Sequence, residues 1–220
     1  MKCIVVVSLA LVTGVWAPSA APAADQTILG RSLVVKNPST SDRRKLSSRA
    51  KEVASPNTIV GDPTVDGAVL TVIANGANPT TQVFDLPQGA TLTGKPFWKA
   101  SGPARFKYKD AKGEQGAVRT VIIGKTPSGI FTMKIQIQGK NGPLDVVPPN
   151  PGTDAAITLA LGGGDRYCLK FGPDAQVVNH DAELFTVRHP QSEDCPGGAV
   201  TTTTSTTTTT LSSPSPAFLD

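Results

Sequence analysis

Along most of this chain apolar and polar residues alternate in twos rather than recurring every three or four positions. The clearest run is GIFTMKIQIQG at 129–139, with Phe131, Met133, Ile135 and Ile137 on one side and Thr132, Lys134, Gln136 and Gln138 on the other. AAITLALGGG repeats it, setting Ile157, Leu159 and Leu161 against Thr158 and Ala160. A period of two is the spacing at which a strand turns one face to a core and the other to water. The same pattern marks RFKYKD, SLVVKN, KLSSRAKEV, GAVLTVIANG, TTQVFDL, AVRTVII, DRYCLKF and ELFTVRH, cut apart by Gly, Pro, Asn and Asp. Together they predict about ten short strands and an all-β fold, an antiparallel β-sandwich or jelly-roll-like, with one face of each strand wet.

The densest charge cluster, Lys107, Lys109, Asp110, Lys112 and Glu114, resolves under this pattern. Phe106 and Tyr108 share the core side of a strand while Lys107 and Lys109 share the wet side. Asp110–Gly113 supplies a turn, and AVRTVII returns as the partner strand. A calcium loop would need carboxylates or amides at alternate positions. Those slots hold Lys112 and Glu114, so the hairpin is the better reading. SLVVKNPSTSDRRKLS predicts a second hairpin, placed within 24–55 and expected at the periphery of the domain.

The two ends differ from this body. Met1-Lys2, the apolar run CIVVVSLALVTGVW and the A-x-A pattern at Ala21 and Ala23 predict a signal peptide over 1–23. The apolar run is shorter than the roughly 20 residues of a membrane-spanning helix, so no anchor is expected after cleavage. The expected location is secreted, periplasmic or on the cell surface. At the other end, 199–220 is almost entirely Thr, Ser and Pro, without apolar partners to repay its ordering entropy. It reads as a disordered tail or spacer, leaving 24–198 as one β-sandwich domain.

Export changes how the cysteines read. Without Cys3, only Cys168 and Cys195 remain, an even pair in an oxidising compartment, and a disulfide between them is expected. The formal net charge of +4 falls to +3 with loss of Lys2, too small a surplus to argue for a nucleic-acid partner. Arg43, Arg44, Lys45, Arg49 and Lys51 form one basic cluster, read as a solvated strand face.

Candidate chemistry is sparse. No G-x-S-x-G elbow occurs, and LGGGDRY at 161–167 has no phosphate-binding spacing after it, so it reads as a tight turn between strands. The best enzymatic constellation is Arg166, Tyr167, His180 and His189, the Tyr or a His as proton acceptor and the Arg as partner of a uronate carboxylate in a polysaccharide lyase. Alternation opposes it: Tyr167 falls on the Leu169 and Phe171 side, away from Arg166. The two histidines lack a third ligand for zinc, and no metal or cofactor is expected. For binding, Trp98 is the named contact, because Phe97 and Trp98 are adjacent and an extended backbone turns them to opposite faces. An exposed indole stacks on the apolar face of a pyranose ring.

The order FKYKD…G…VII (106–123), RYCLKFG (166–172) and CPGG (195–198), followed by a Thr tract, resembles a group of uncharacterised exported β-rich modules of environmental proteobacteria. The resemblance covers most of 27–198 and implies the β-rich fold and the Cys168–Cys195 pairing, with no activity to carry over. Arg105-Phe106 stands where that pattern has Gly-Trp. The functional expectation is an exported, non-enzymatic surface or envelope module whose partner is an extracellular glycan or a surface protein. The alternative is the lyase-type enzyme.

Overall fold

The computed structural model describes residues 23–172, 175–188 and 195, and of Asn179 and His180 the backbone alone. The expected leader (but for Ala23) and the Thr-rich tail lie outside these residues. With strands numbered in chain order, β1 (Asp25–Thr27), β11 (Arg166–Phe171), β10 (Gly152–Leu161), β4 (Ala68–Gly76) and β5 (Thr80–Leu86) lie side by side in one sheet. The second sheet runs β12 (Gln176–His180), β13 (Leu184–Arg188), β2 (Gly30–Lys36), β3 (Lys45–Glu52), β9 (Phe131–Gln138), β8 (Val118–Lys125), β7 (Arg105–Lys109) and β6 (Trp98–Ala100). Among the described residues only the β1–β11 pair is parallel. The fold is an all-β sandwich of a five-stranded and an eight-stranded sheet.

The alternation decides what lies between them. Phe131, Met133, Ile135 and Ile137 of β9 are buried, as are Phe106 and Tyr108 of β7. Ile157, Leu159 and Leu161 of β10 and Tyr167, Leu169 and Phe171 of β11 face them from the other sheet. Phe131 and Tyr167 meet across the interior with ring centroids 5.8 Å apart. Burying each such side chain contributes roughly 1.5–3 kcal/mol, which is why the register of every strand is tied to its pattern.

Ten strands are the expected ones; β1, β6 and β12 are additional. All three are short edge strands, too brief to display a period. Neighbours hold β1: the buried Asp165 carboxylate accepts from Ala24 N at 2.9 Å and from Gln26 Nε2. The hairpin within 24–55 is not peripheral, since β2 and β3 lie inside the eight-stranded sheet, between β13 and β9. Its apolar residues Leu33, Val35 and Leu46 are needed to roof the core there.

The glycine run at 162–164 is a packing device, in agreement with the turn reading. A Cβ on Gly164 would lie 2.1 Å from the Val60 carbonyl oxygen. Gly162 N donates to Gly67 O at 2.9 Å, so the β10–β11 turn is fastened to the one-turn helix Pro63–Asp66.

Candidate functional site

The tip of the charged hairpin is built around Asp110, which is fully buried. Its Oδ1 accepts from Gly113 N at 2.8 Å and Glu114 N at 3.0 Å, and its Oδ2 from Gln115 N at 2.7 Å. A short polar side chain closing on amides a few residues ahead is the usual chemistry of such turns. These bonds occupy the carboxylate, consistent with a hairpin rather than a calcium loop.

The lysines around that tip are not spent inside the protein. Along β7, Arg105, Lys107 and Lys109 all point away from the core, and all are exposed. The strand order then sets other cations beside them. Lys99 of β6 is the register partner of Lys107, Lys107 of Ile122, and Ile122 of Lys134. The row continues from Lys134 to Arg49, Ser32 and Arg188. Five of its seven positions are cationic. At about 4.8 Å per strand, it spans roughly 29 Å. Lys36 and Lys45 form a further opposed pair.

The eight strands carry thirteen Lys and Arg residues and a single carboxylate, Glu52. Glu52 lies in register with buried Phe131 and accepts from Ser55 Oγ at 2.7 Å and Asn57 Nδ2 at 3.2 Å. The outward positions of the sheet therefore hold no acid. The five-stranded sheet is different, with Asp25, Asp85 and Asp154 against Arg166 and Lys170. A modest net charge conceals a strongly one-sided molecule. Directly opposed like charges destabilise a sheet by a few tenths to 1 kcal/mol each, and Lys99–Lys107, Lys134–Arg49 and Lys36–Lys45 are three such pairs.

Tyr167 and Arg166 of the enzymatic constellation are not brought together at an open surface. Tyr167 is buried; its hydroxyl accepts from Val60 N at 2.7 Å and donates to Val60 O at 3.3 Å. Arg166, on the opposite face, grips Asp25 through Nε and Nη2 at 2.7 and 2.6 Å. The backbone of His180 pairs with Phe185 in β12–β13, and His189 lies outside the described residues. Asp25, Cys168 and Cys195 cluster, but both sulfurs belong to the Cys168–Cys195 disulfide, whose Cα atoms are 5.3 Å apart. That trio offers no thiolate to a metal.

Trp98 corrects the sequence reading. Phe97 and Trp98 are both buried, 2% and 3% exposed, because Phe97 precedes β6 and is covered where the 87–96 loop folds back. Both rings pack on Tyr108, at 5.9 and 5.3 Å, and the indole N–H donates to Leu86 O at 3.0 Å. The indole is core, with no face left for a sugar. The surface that replaces it was visible in part as Lys-x-Lys spacing, but its extent depends on which strands become neighbours.

Burial, with some help from Asp165, pushes the Tyr167 phenol up to about 12, and burial, reinforced by nearby Asp110, also raises Tyr108. Folding therefore favours the neutral phenols. Their contribution to stability is complete below the ordinary pKa near 10 and is lost as pH climbs through the folded values. Because the chain has only these two tyrosines, an ultraviolet phenolate titration of the native protein is expected to show almost no ionisation at pH 10, and about half ionisation there in denaturant. Native-state ionisation near pH 10 would contradict their placement.

Among the described residues no helix is long and apolar enough to cross a membrane. Comparison with protein-family models, with curated proteins and with solved structures finds no match to this chain.

Proposed function

We propose that this protein is an exported, non-enzymatic module of the cell surface or envelope that holds an acidic glycan on the outer face of its eight-stranded sheet. Export is supported by the signal-like start and by the disulfide. The observation that carries the binding is the outward row of cations from Lys99 to Arg188, with no carboxylate among the outward positions of its sheet. A face that keeps opposed lysines at a cost to its own stability is matched to a ligand bearing many negative charges. The same strands place Phe106, Tyr108 and Trp98 in the core. Single-stranded nucleic acid is bound by aromatic platforms on which bases stack. This face offers cations and hydroxyls instead, the groups that pair with uronate carboxylates and sugar hydroxyls.

Arg49→Glu tests this without endangering the fold, because it sets an acid opposite Lys134 and turns a repelling pair into an attractive one. In affinity electrophoresis the parent is expected to be retarded by polyuronate and not by neutral dextran. Its affinity is expected to fall steeply as salt shortens the Debye length from about 10 Å at 0.1 M to about 3 Å at 1 M. Arg49→Glu is expected to weaken polyuronate binding by more than about tenfold, since like-charge juxtaposition at an interface costs several kcal/mol, while thermal stability holds or rises. Equal retardation by dextran, or binding indifferent to both salt and Arg49→Glu, would rule the reading out.

A further inference from the structure

Where the row reaches the sheet edge, it runs into a cleft of about 480 Å³ lined by Lys95, Lys99, Lys107, Lys109 and Lys112. That volume is in the range of sites that hold small molecules. We propose that this cleft is a discrete subsite for a short carboxylate-bearing sugar segment, the point at which an acidic glycan is gripped before it continues over Lys134 and Arg49. The proposal rests on the polyanion reading above and names where on the face the grip lies.

The cleft is held in shape by bonds that do not involve its lysine ammonium groups. One wall is the 91–95 turn, closed by Thr91 N to Lys95 O and by Gly94 N to Thr91 O, both at 2.8 Å. The other wall is the Asp110 tip. Glu114 joins the two, its Oε2 accepting from Leu92 N at 2.7 Å. Both carboxylates lining the cleft are thus engaged by backbone N–H groups. Among the described residues the one ion pair is Arg166–Asp25, far from these lysines in the fold. The positive charge of the cleft is left for a ligand.

The lining also selects the kind of anion. A lysine ammonium brings three donors and no acceptor, so the cleft calls for a ligand rich in acceptor oxygens. Thr91 and Thr93 add hydroxyls, bonded to one another at 3.0 Å with Thr91 Oγ1 also accepting from Lys95 N at 3.1 Å, and the pair keeps one O–H and further lone pairs for a sugar's hydroxyls. No arginine lines the cleft, so an anion there is held by ammonium point charges rather than by planar two-pronged pairing, and competition with phosphate separates the two anions. Among the described residues no aromatic ring lines it to stack on a nucleobase.

Lys107→Glu is the informative substitution. It sets an acid opposite Lys99, so the sheet keeps its register while the cleft loses two units of positive charge. The full exported chain is titrated with trigalacturonate, with maltotriose as the neutral control, and followed by backbone amide shifts. Trigalacturonate is expected to move amides of 91–95 and 107–114, and Lys107→Glu to weaken its binding by more than about tenfold. Arg49→Glu is expected to change trimer affinity less than about twofold while still weakening the polymer. Unchanged trimer affinity in Lys107→Glu overturns the subsite, as does equal binding of maltotriose or full competition by inorganic phosphate at equal concentration. Tighter binding of a single-stranded oligothymidylate than of the trimer overturns the ligand class. If polyuronate still binds while the trimer leaves the cleft amides unmoved, the subsite fails and the face stands. If polyuronate itself fails to bind, both fall.

Discussion

The Cys168→Ser/Cys195→Ser protein is expected to unfold roughly 7–14 °C below the parent. The bridge spans 27 positions, and closing a loop of that length removes about 3.5 kcal/mol of unfolded-chain entropy. For a domain of this size each kcal/mol corresponds to about 2–4 °C. The loop it closes also leaves one sheet for the other: Cys168 sits in β11 of the five-stranded sheet, whereas β13, inside the loop, pairs onto β2 of the eight-stranded sheet and carries β12 at its other side. The bridge therefore limits how far the two sheets separate in the unfolded chain. Scanning calorimetry of the oxidised, reduced and doubly substituted proteins checks this. Serine is close in volume to cysteine, so a large loss reports the bond rather than a cavity. Coincident transitions in all three samples would show that the bridge contributes nothing.

Asp110→Ala is expected to be nearly as damaging, at about 3 kcal/mol, although it lies at a hairpin tip where substitutions are ordinarily mild. Three backbone donors converge on this one carboxylate. Hydrogen bonds to a charged group contribute about 1.5–3 kcal/mol each, reduced here because the tip amides regain some water when the acid is lost. Asp110→Asn keeps the oxygen that serves Gly113 and Glu114, gives up the one that serves Gln115, and is expected to recover about half of the loss. Thermal unfolding measures the total. Amide exchange at Gly113, Glu114 and Gln115 locates it, and unchanged protection there would refute the role given to Asp110. The same variant is expected to weaken trigalacturonate binding, since Lys112 and Glu114 ride on the turn that this acid organises.

Much of the fold could be read along the chain because strand faces obey a local rule. Each residue's affinity for water, taken with a period of two, places Phe106 and Tyr108 inside and Lys107 and Lys109 outside whatever the partner strands turn out to be. The expectation failed at Phe97–Trp98 because one of the two neighbours is not in a strand, and a loop folding back can bury what alternation would expose. Edge strands of three to five residues, such as β1, β6 and β12, escaped for a related reason: they are held by neighbours rather than by a pattern of their own.

The candidate site divides the same way. That the segments forming the eight-stranded sheet are rich in Lys and Arg and hold one acid, Glu52, is written in the order of residues, as is the pair Cys168 and Cys195 beyond the leader-like start. That Lys107 stands between Lys99 and Ile122, and Arg49 between Lys134 and Ser32, is not, because those neighbours come from segments as far apart as Arg49 and Lys134, 85 positions along the chain. Side-chain polarity acts residue by residue and so determines each strand's wet face. Strand order and register arise from long-range pairing of the closed core, and they alone gather scattered charges into one continuous surface.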